Sequence, residues 1–458
     1  MICSKLFESS APDVAAAAKA AEIEKTFRVC DGLYLVGGME RGVTLYNQQV
    51  RAHNLVWALF ELDRHQSREI GRVAVIGGGA AGLTVVAGLL ARYRGSIPIT
   101  LFERLWDLCP LQQGSDARWL HPRIYEWPSA GSRAPSASLP ILNWSEGRAS
   151  DVANALVKGF GDHCQEFALE PGSFTAFIGL RNFQVRTEPL TIDWVGTRAE
   201  RQGSFFRRGN PEGNSAAFDT VIFATGFGLE RSVAPYQTSS YWRNEQIAQP
   251  ILNGESQRYV VSGYGDGALV DVCRLTIERF RQDTIVYELF GDRLEEVEQK
   301  IDSDLKRVET TANLFSYFRS IEHGYLANAL SELKARIRKD TAVALHIRGA
   351  EGKITSFSEI FGPTSSRLNR LLIYLLHRSG AFSTSVAKLE ECVRSHRASP
   401  DTVLCRHGTD TRGHLRAIIA DCDKIEKRLD EMWREQAQTP SRVWRPGAFP
   451  ISIQGNQR

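Results

Sequence analysis

The chain lacks any pair of cysteines at C-x-x-C spacing; its eight cysteines stand singly at positions 3, 30, 109, 164, 273, 392, 405 and 422. That leaves a zinc ribbon or a thioredoxin-type dithiol unsupported, and isolated thiols suit a reducing cytoplasm. The ten histidines contain no HxxxH or HExxH spacing, so no metal site is expected. Charge of one sign is also missing: 56 Lys and Arg stand against 53 Asp and Glu, a net +3, with no long single-sign block. Neither nucleic acid nor an anionic membrane is expected as a partner. The first residues, Met1 to Glu8, lack the apolar core of a secretory signal, and Asp13 before an alanine-rich run reads as an N-capped helix.

What is present is ordinary globular composition, 43% hydrophobic and 24% charged, in 458 residues. That length exceeds one compact core and predicts two or three domains. The most informative stretch runs from Arg72 to Arg104. Val73 to Ile76 are four apolar residues, three of them β-branched, as in a parallel strand buried on both faces. Gly77, Gly79 and Gly82 follow at G-x-G-x-x-G spacing, with Gly78 and Ala81 completing the turn, and Ala80 to Ala91 read as a helix. Its N-terminal N–H groups and the positive end of its dipole make an anion site without Lys or Arg. A second strand, Ile97 to Phe102, ends at Glu103, 21 residues after Gly82. A carboxylate there suits the hydroxyls of an adenosine ribose and repels a 2′-phosphate, so FAD or NAD is expected over NADP. Residues 73 to 91 are uncharged, but five glycines argue against a membrane span.

Before this unit, Gly32–Gly37 and Gly42–Tyr46 are expected to pair as a hairpin, and Gln48–Asp63 to form an amphipathic helix. After it, residues 106 to 148 hold four tryptophans, Trp106, Trp119, Trp127 and Trp144, in an irregular stretch expected to fold over a cofactor. A helix capped by Ser150 then leads to three or four antiparallel strands within residues 173–208, a β-meander. Asp219 to Gly226 is a second buried strand ending in Ala224-Thr225-Gly226, and Arg258 to Ala268 repeats strand then glycine turn. From Arg293 onward the pattern is mostly helical, with a short strand at Thr402–Cys405.

Taken together, Val73–Gly82 with Glu103, Ala224-Thr225-Gly226 and Gly265-Asp266 resemble the FAD-dependent oxidoreductases built on a glutathione-reductase type of FAD domain. The resemblance covers about a third of the chain. It implies an α/β fold: a Rossmann-like FAD-binding domain, its parallel sheet carrying an antiparallel β-meander, plus a mostly helical C-terminal region. The expected parts are residues 1–70 packing on the main domain, 71–105 with 215–292 as the FAD/NAD(P)-binding domain, 106–214 inserted, and 293–458 helical. The resemblance also implies FAD contacts at Gly77, Gly79, Gly82, Glu103, Thr225, Gly226 and Asp266. Cys109 stands alone where disulfide reductases of this group carry a pair. Gly263, Gly265 and Ala268 admit a further reading, G-x-G-x-x-A with a helix over Ala268–Phe280 and a strand Thr284–Glu288 whose acid lies 20 residues on, as in an NAD site. Closing the FAD site and forming a separate NAD(P)H site are both open to it.

A flavin carries its own reactivity, so the protein need only orient substrate and control protons. His121 and Tyr125 are candidate proton donors and Arg118 a candidate anion contact, weighed against the plainer role of anchoring a long loop. His407, at the end of its strand, is expected to be structural. The expected function is an FAD-dependent oxidase or NAD(P)H-fed monooxygenase acting on a small organic substrate. The alternative is a catalytically quiet flavin- or NAD-binding sensor or assembly subunit, with the C-terminal helices contacting a protein partner or a second copy.

Overall fold

A computed structural model describes residues 14–37, 43–168, 170–202, 205–226, 256–307, 313–348 and 354–435, with 230–231, 233–236, 240–243, 247, 249 and 449. Helix α1 (Val14–Phe27) leads into a hairpin of β1 (Arg28–Cys30) and β2 (Leu33–Leu35). The turn falls at Gly32, where φ is +73°, earlier than the expected turn at residues 38–41, which lie outside the described residues. The expected second arm starts a helix instead, because the Thr44 hydroxyl accepts the Asn47 N–H at 3.1 Å and caps α2 (Leu45–Arg64). Then come β3 (Val73–Ile76), α3 (Ala80–Tyr93) and β4 (Ile99–Glu103).

The tryptophan-rich stretch forms only a two-residue ribbon, β5 (Trp119–Leu120) with β6 (Gly147–Arg148). Helix α4 (Ala149–Phe167) follows; Ser150 lies inside its first turn and hydrogen-bonds Asp116 instead of capping it. The meander consists of three long strands, β7 (Phe174–Thr187), β8 (Leu190–Gln202) and β9 (Phe205–Ala217), before β10 (Thr220–Phe223). Together these give an eight-stranded sheet in the order β1-β2-β10-β3-β4-β7-β8-β9, parallel from β2 to β7. This is a Rossmann-like sheet with an antiparallel meander at one edge.

The next glycine turn does not belong to that sheet. The strand before it, β11 (Gln257–Ser262), opens a second one. After β11 come α5 (Asp266–Thr276), α6 (Ile285–Phe290), α7 (Leu294–Arg307), α8 (Leu314–Ile321) and α9 (Ala327–Ala335). The chain returns to the sheet as β12 (Thr341–His346), then α10 (Arg367–Arg378), β13 (Ser383–Ser385), α11 (Leu389–His396) and β14 (Val403–Cys405). The order is β13-β12-β11-β14, all parallel. The expectation that 215–292 forms one domain and 293–458 a helical one is therefore corrected, because strands from both stretches pair in one sheet. The expected strand Thr284–Glu288 is helix α6, whose Ile285, Val286 and Leu289 are buried at helical spacing.

Helices α12 (Thr411–Ile418) and α13 (Glu426–Glu435) leave the second unit and cover the first sheet. Leu415, Ile419, Leu429 and Met432 pack in one core with Ala74, Ile76, Phe102 and Val221. Between α12 and α13 the helical run breaks where Asp421 accepts hydrogen bonds from Thr187 N–H and Oγ–H at 3.0 and 2.7 Å. The opposite face of that sheet packs under α1 to α4. The second unit is thus inserted into the first. Leu415→Ala should therefore destabilise the first unit, by about 2–5 kcal/mol in chemical denaturation; a change below experimental error would detach α12 from that core.

Candidate functional site

Gly77 to Gly82 link β3 to α3 in the expected way. Gly77 has φ +112°, and a Cβ there would collide with the Ala224 carbonyl that follows the neighbouring strand β10. Only glycine fits that bend. A Cβ at Gly82 would collide with the Gly77 carbonyl, so the helix lies close against the turn. Gly79 differs: it caps α3 with no capping side chain, and a Cβ there would meet nothing within 4 Å. Thr225 and Gly226 follow β10 directly, Thr225 Cα lying 3.2 Å from a Cβ placed on Gly77. Ala81 is buried in the first turn of α3.

The buried Glu103 carboxylate is aimed by the turn itself: Oε2 accepts the Gly78 N–H at 2.6 Å and Oε1 the Leu105 N–H at 2.7 Å. Burial raises its pKa, while those backbone donors work to lower it. Each oxygen keeps lone-pair capacity for a hydroxyl donor. Leu108 and Cys109 fold over the turn, Cys109 N–H donating to the Gly78 carbonyl at 2.9 Å. Cys109 is free and buried, and burial lifts its thiol to about 12, far from a thiolate nucleophile.

The second sheet repeats this construction residue for residue. Gly263 has φ +136°, and a Cβ there would collide with the Arg406 carbonyl that follows the neighbouring strand β14. Gly265 caps α5 with no capping side chain, and a Cβ there would meet nothing within 4 Å. Ala268 stands third, buried under the turn. Counted from β3 and from β11, the strands β7-β4-β3-β10 and β13-β12-β11-β14 both stand in 3-2-1-4 order, so each turn lies at a topological switch point. Two positions depart from expectation. Asp266 does not face the turn; its Oδ1 accepts the Ser366 N–H at 2.8 Å and the Asn369 Nδ2–H at 2.6 Å, at the start of α10. The acid expected at Glu288 lies on a helix and pairs with Arg336. Strand register instead places Ile347 opposite Gly263, where Glu103 stands opposite Gly77, and Arg348 follows.

Beside the second turn lies a buried charge cluster absent from the sequence-based reading. Asp271, fully buried on α5, receives Arg118 Nη1 on Oδ1 at 2.6 Å and Arg406 Nε on Oδ2 at 2.8 Å, with Arg274 Nη1 at 3.8 Å. Burial acts to raise its pKa, but Arg118, Arg406 and Arg274 outweigh it and hold the carboxyl below its ordinary value. The Arg118 guanidinium also stacks 3.7 Å from the Tyr241 ring centroid and donates from Nε to the Tyr241 carbonyl at 2.8 Å. The cue in the sequence was Arg406 and His407 directly after a strand.

The tryptophan-rich stretch spans both units. Leu108, Leu139 and Trp144 join the first core, whereas Ile124 and Trp127 join the second. Each proposed chemical residue in it is engaged. His121 lies 3.2 Å from Glu146 through Nε2 and accepts the Arg123 N–H at Nδ1, and burial lowers its pKa. Tyr125 donates to Gln282 at 3.3 Å, and burial raises its pKa well above that of an exposed phenol. Arg118 serves Asp271. The three side chains have different hydrogen-bond partners, while Arg118 and Tyr125 lie close enough to act on each other electrostatically.

No protein-family model matches the chain, and no curated protein matches it either. Among solved structures, bacillithiol disulfide reductase from Staphylococcus aureus is similar at a TM-score of 0.33 and 11% identity, over 69% of this chain and 66% of that one. The match therefore spans just under two thirds of that enzyme's length. Among the described residues, no helix is long and apolar enough to cross a membrane.

Because Asp271 is the shared partner of three buried guanidinium groups, Asp271→Asn should cost about 3–5 kcal/mol of stability. Its depressed pKa fixes the sign of the pH dependence. The stabilisation is fully present above the unfolded carboxyl value near ~3.9 and disappears as pH falls through the lower folded value. Denaturation of wild type and variant across that acid range should converge; parallel curves would show that the carboxylate is not what holds the arginines.

Proposed function

We propose that the chain is a flavin-dependent oxidoreductase that holds FAD at the Gly77–Gly82 turn and a nicotinamide dinucleotide at the Gly263–Ala268 turn. The supporting observation is the shared construction: an open glycine, Gly79 or Gly265, at an uncapped helix start on the switch point of each sheet. The space above those two glycines is what a diphosphate needs, since a side chain would fill it and the backbone N–H groups would no longer be approachable. At the first turn, Gly78, Ala81, Thr225 and Gly226 border the bend, and Glu103 would take the hydroxyls of the adenosine ribose. At the second, Ile347 cannot accept from a ribose hydroxyl and Arg348 follows it, which suits a 2′-phosphate and hence NADPH over NADH. The surplus of guanidinium groups around Asp271 adds positive potential beside that turn.

When bound, FAD would supply the redox chemistry, with a nicotinamide dinucleotide as hydride donor and dioxygen or a small organic substrate as electron acceptor. The protein's own part is to bind two diphosphates on helix N-termini, orient the first ribose through Glu103, and shield the turn with Leu108 and Cys109. The engagement of His121, Tyr125 and Arg118 by other side chains favours, as a second reading, a flavin- or NAD-binding sensor without turnover of its own. Consumption of NADPH under oxygen separates the two.

Because Gly79 and Gly265 both have φ −81° and open space at Cβ, alanine fits the fold at either position. Gly79→Ala should leave the unfolding midpoint unchanged and weaken FAD binding by about tenfold or more, read from the visible spectrum and from mass spectrometry of released ligand. Gly265→Ala should keep FAD but lose its reduction by NADPH. A colourless wild-type protein that takes up no added FAD would sink the first assignment.

A further inference from the structure

Ser262, the last residue of β11, immediately precedes Gly263 and is paired in register with His346 of β12 and Cys405 of β14. Its side chain stands between two histidines, with Oγ 2.7 Å from His346 Nδ1 and 2.7 Å from His407 Nε2. His346 Nε2 lies 2.9 Å from the Ala387 carbonyl oxygen. Ser262 and His346 are buried.

The carbonyl fixes the direction of this chain. A carbonyl oxygen only accepts, so His346 carries its proton on Nε2, and in the neutral ring Nδ1 is a bare acceptor. Ser262 therefore donates its hydroxyl proton to His346 Nδ1, and its oxygen accepts the Nε2–H of His407. His407 is thereby held as the Nε2–H tautomer, with Nδ1 as a lone-pair acceptor that has no partner among the described residues. Burial lowers the pKa of both rings. The charges facing them act in the same direction on balance: Arg231 beside His407, and Arg348 on His346, opposed there by Glu390 of α11. Arg231 also approaches Asp410 at 4.0 Å, and Glu230 approaches Arg406 at 3.9 Å. Two neutral histidines at neutral pH follow from this setting.

His407 comes directly after Arg406, whose carbonyl abuts Gly263. It therefore sits at the C-terminal ends of β11 and β14, the switch point where a ligand of such a sheet is bound. We propose that His407 contacts the ligand of the second glycine turn, its Nδ1 accepting a hydrogen bond from a ligand hydroxyl, with Ser262 and His346 as positioning residues. The inference rests on the reading of the second turn as a dinucleotide site.

Full-length protein titrated calorimetrically with NADPH and with NADH between about pH 5 and 8 tests it. Affinity in the wild type should fall as His407 protonates, because an Nδ1–H cannot accept. In His407→Phe the affinity should be about tenfold weaker at the upper end and no longer vary with pH in the same way. Nitrogen NMR should find the His407 proton on Nε2 in wild type, and Ser262→Ala should release that tautomer preference and shift the His407 titration. Binding whose pH dependence survives in His407→Phe, or a His407 proton found on Nδ1, overturns the assignment while leaving the dinucleotide site intact. Failure of both nucleotides to bind wild type removes the dinucleotide site, and this inference with it.

Discussion

In each half of the molecule a strand-end carbonyl is pressed against a glycine of the neighbouring strand. The Ala224 carbonyl does this to Gly77, and the Arg406 carbonyl to Gly263. The contact exists only because strand four runs parallel beside strand one and because both glycines adopt positive φ. The sharp bend it demands turns the backbone from strand into helix within three residues. It leaves the helix N-terminus open above the second glycine, and everything proposed about ligands depends on that opening. A side chain at Gly77 or Gly263 would collide with the strand-end carbonyl beside it, so the neighbouring backbone would have to move.

The two halves are held together by side chains outside both bends, Arg406 alone contributing its carbonyl to one bend and its guanidinium to this contact. Arg118, from the irregular stretch after the first unit, reaches Asp271 on the second unit's first helix and shares it with Arg406 from the second unit's last strand end. Trp127 donates to Glu298 at 2.8 Å in the second unit, whereas Trp144 donates to Gln49 at 2.7 Å in the first. The stretch expected to lie over a cofactor thus works as a strap between units. Its aromatic side chains bury apolar surface in two cores at once, which explains why a segment with so little regular structure carries so many tryptophans.

The first turn was fully legible because strand, glycines, helix and acid are contiguous, and each leaves a local signature. The second was half legible. Gly263, Gly265 and Ala268 stood out, but the strand that pairs with β11 lies some eighty residues on, beyond helices α6 to α9. Searching for an acid at a fixed distance found Glu288, which is helical; only strand register identifies Ile347. Asp266 misled for a related reason. A carboxylate at a helix start reads as a ligand contact, yet here it accepts N–H groups at the start of another helix, α10, a pairing across 100 residues that local sequence does not show. The return of α12 and α13 to the first sheet was hidden in the same way, since amphipathic helices do not say which apolar face they cover.

The buried polar groups of the second unit follow from its topology. A parallel sheet ends with its carbonyl edge toward the ligand side, so any residue in the last register position of neighbouring strands falls beside the others. Ser262 and His346 are such a pair, His407 joins them from two residues past the end of β14, and nothing in their spacing of 84 and 145 residues from Ser262 could foretell it. Their order of donors and acceptors is set from outside the sheet by the Ala387 carbonyl, on the segment between β13 and α11. One backbone oxygen at the rim therefore determines which nitrogen of a histidine two residues beyond another strand is left bare. That dependence is directional, because a carbonyl cannot donate, and it makes the hydrogen-bonded chain a polarised element of the switch point instead of a symmetrical buried cluster.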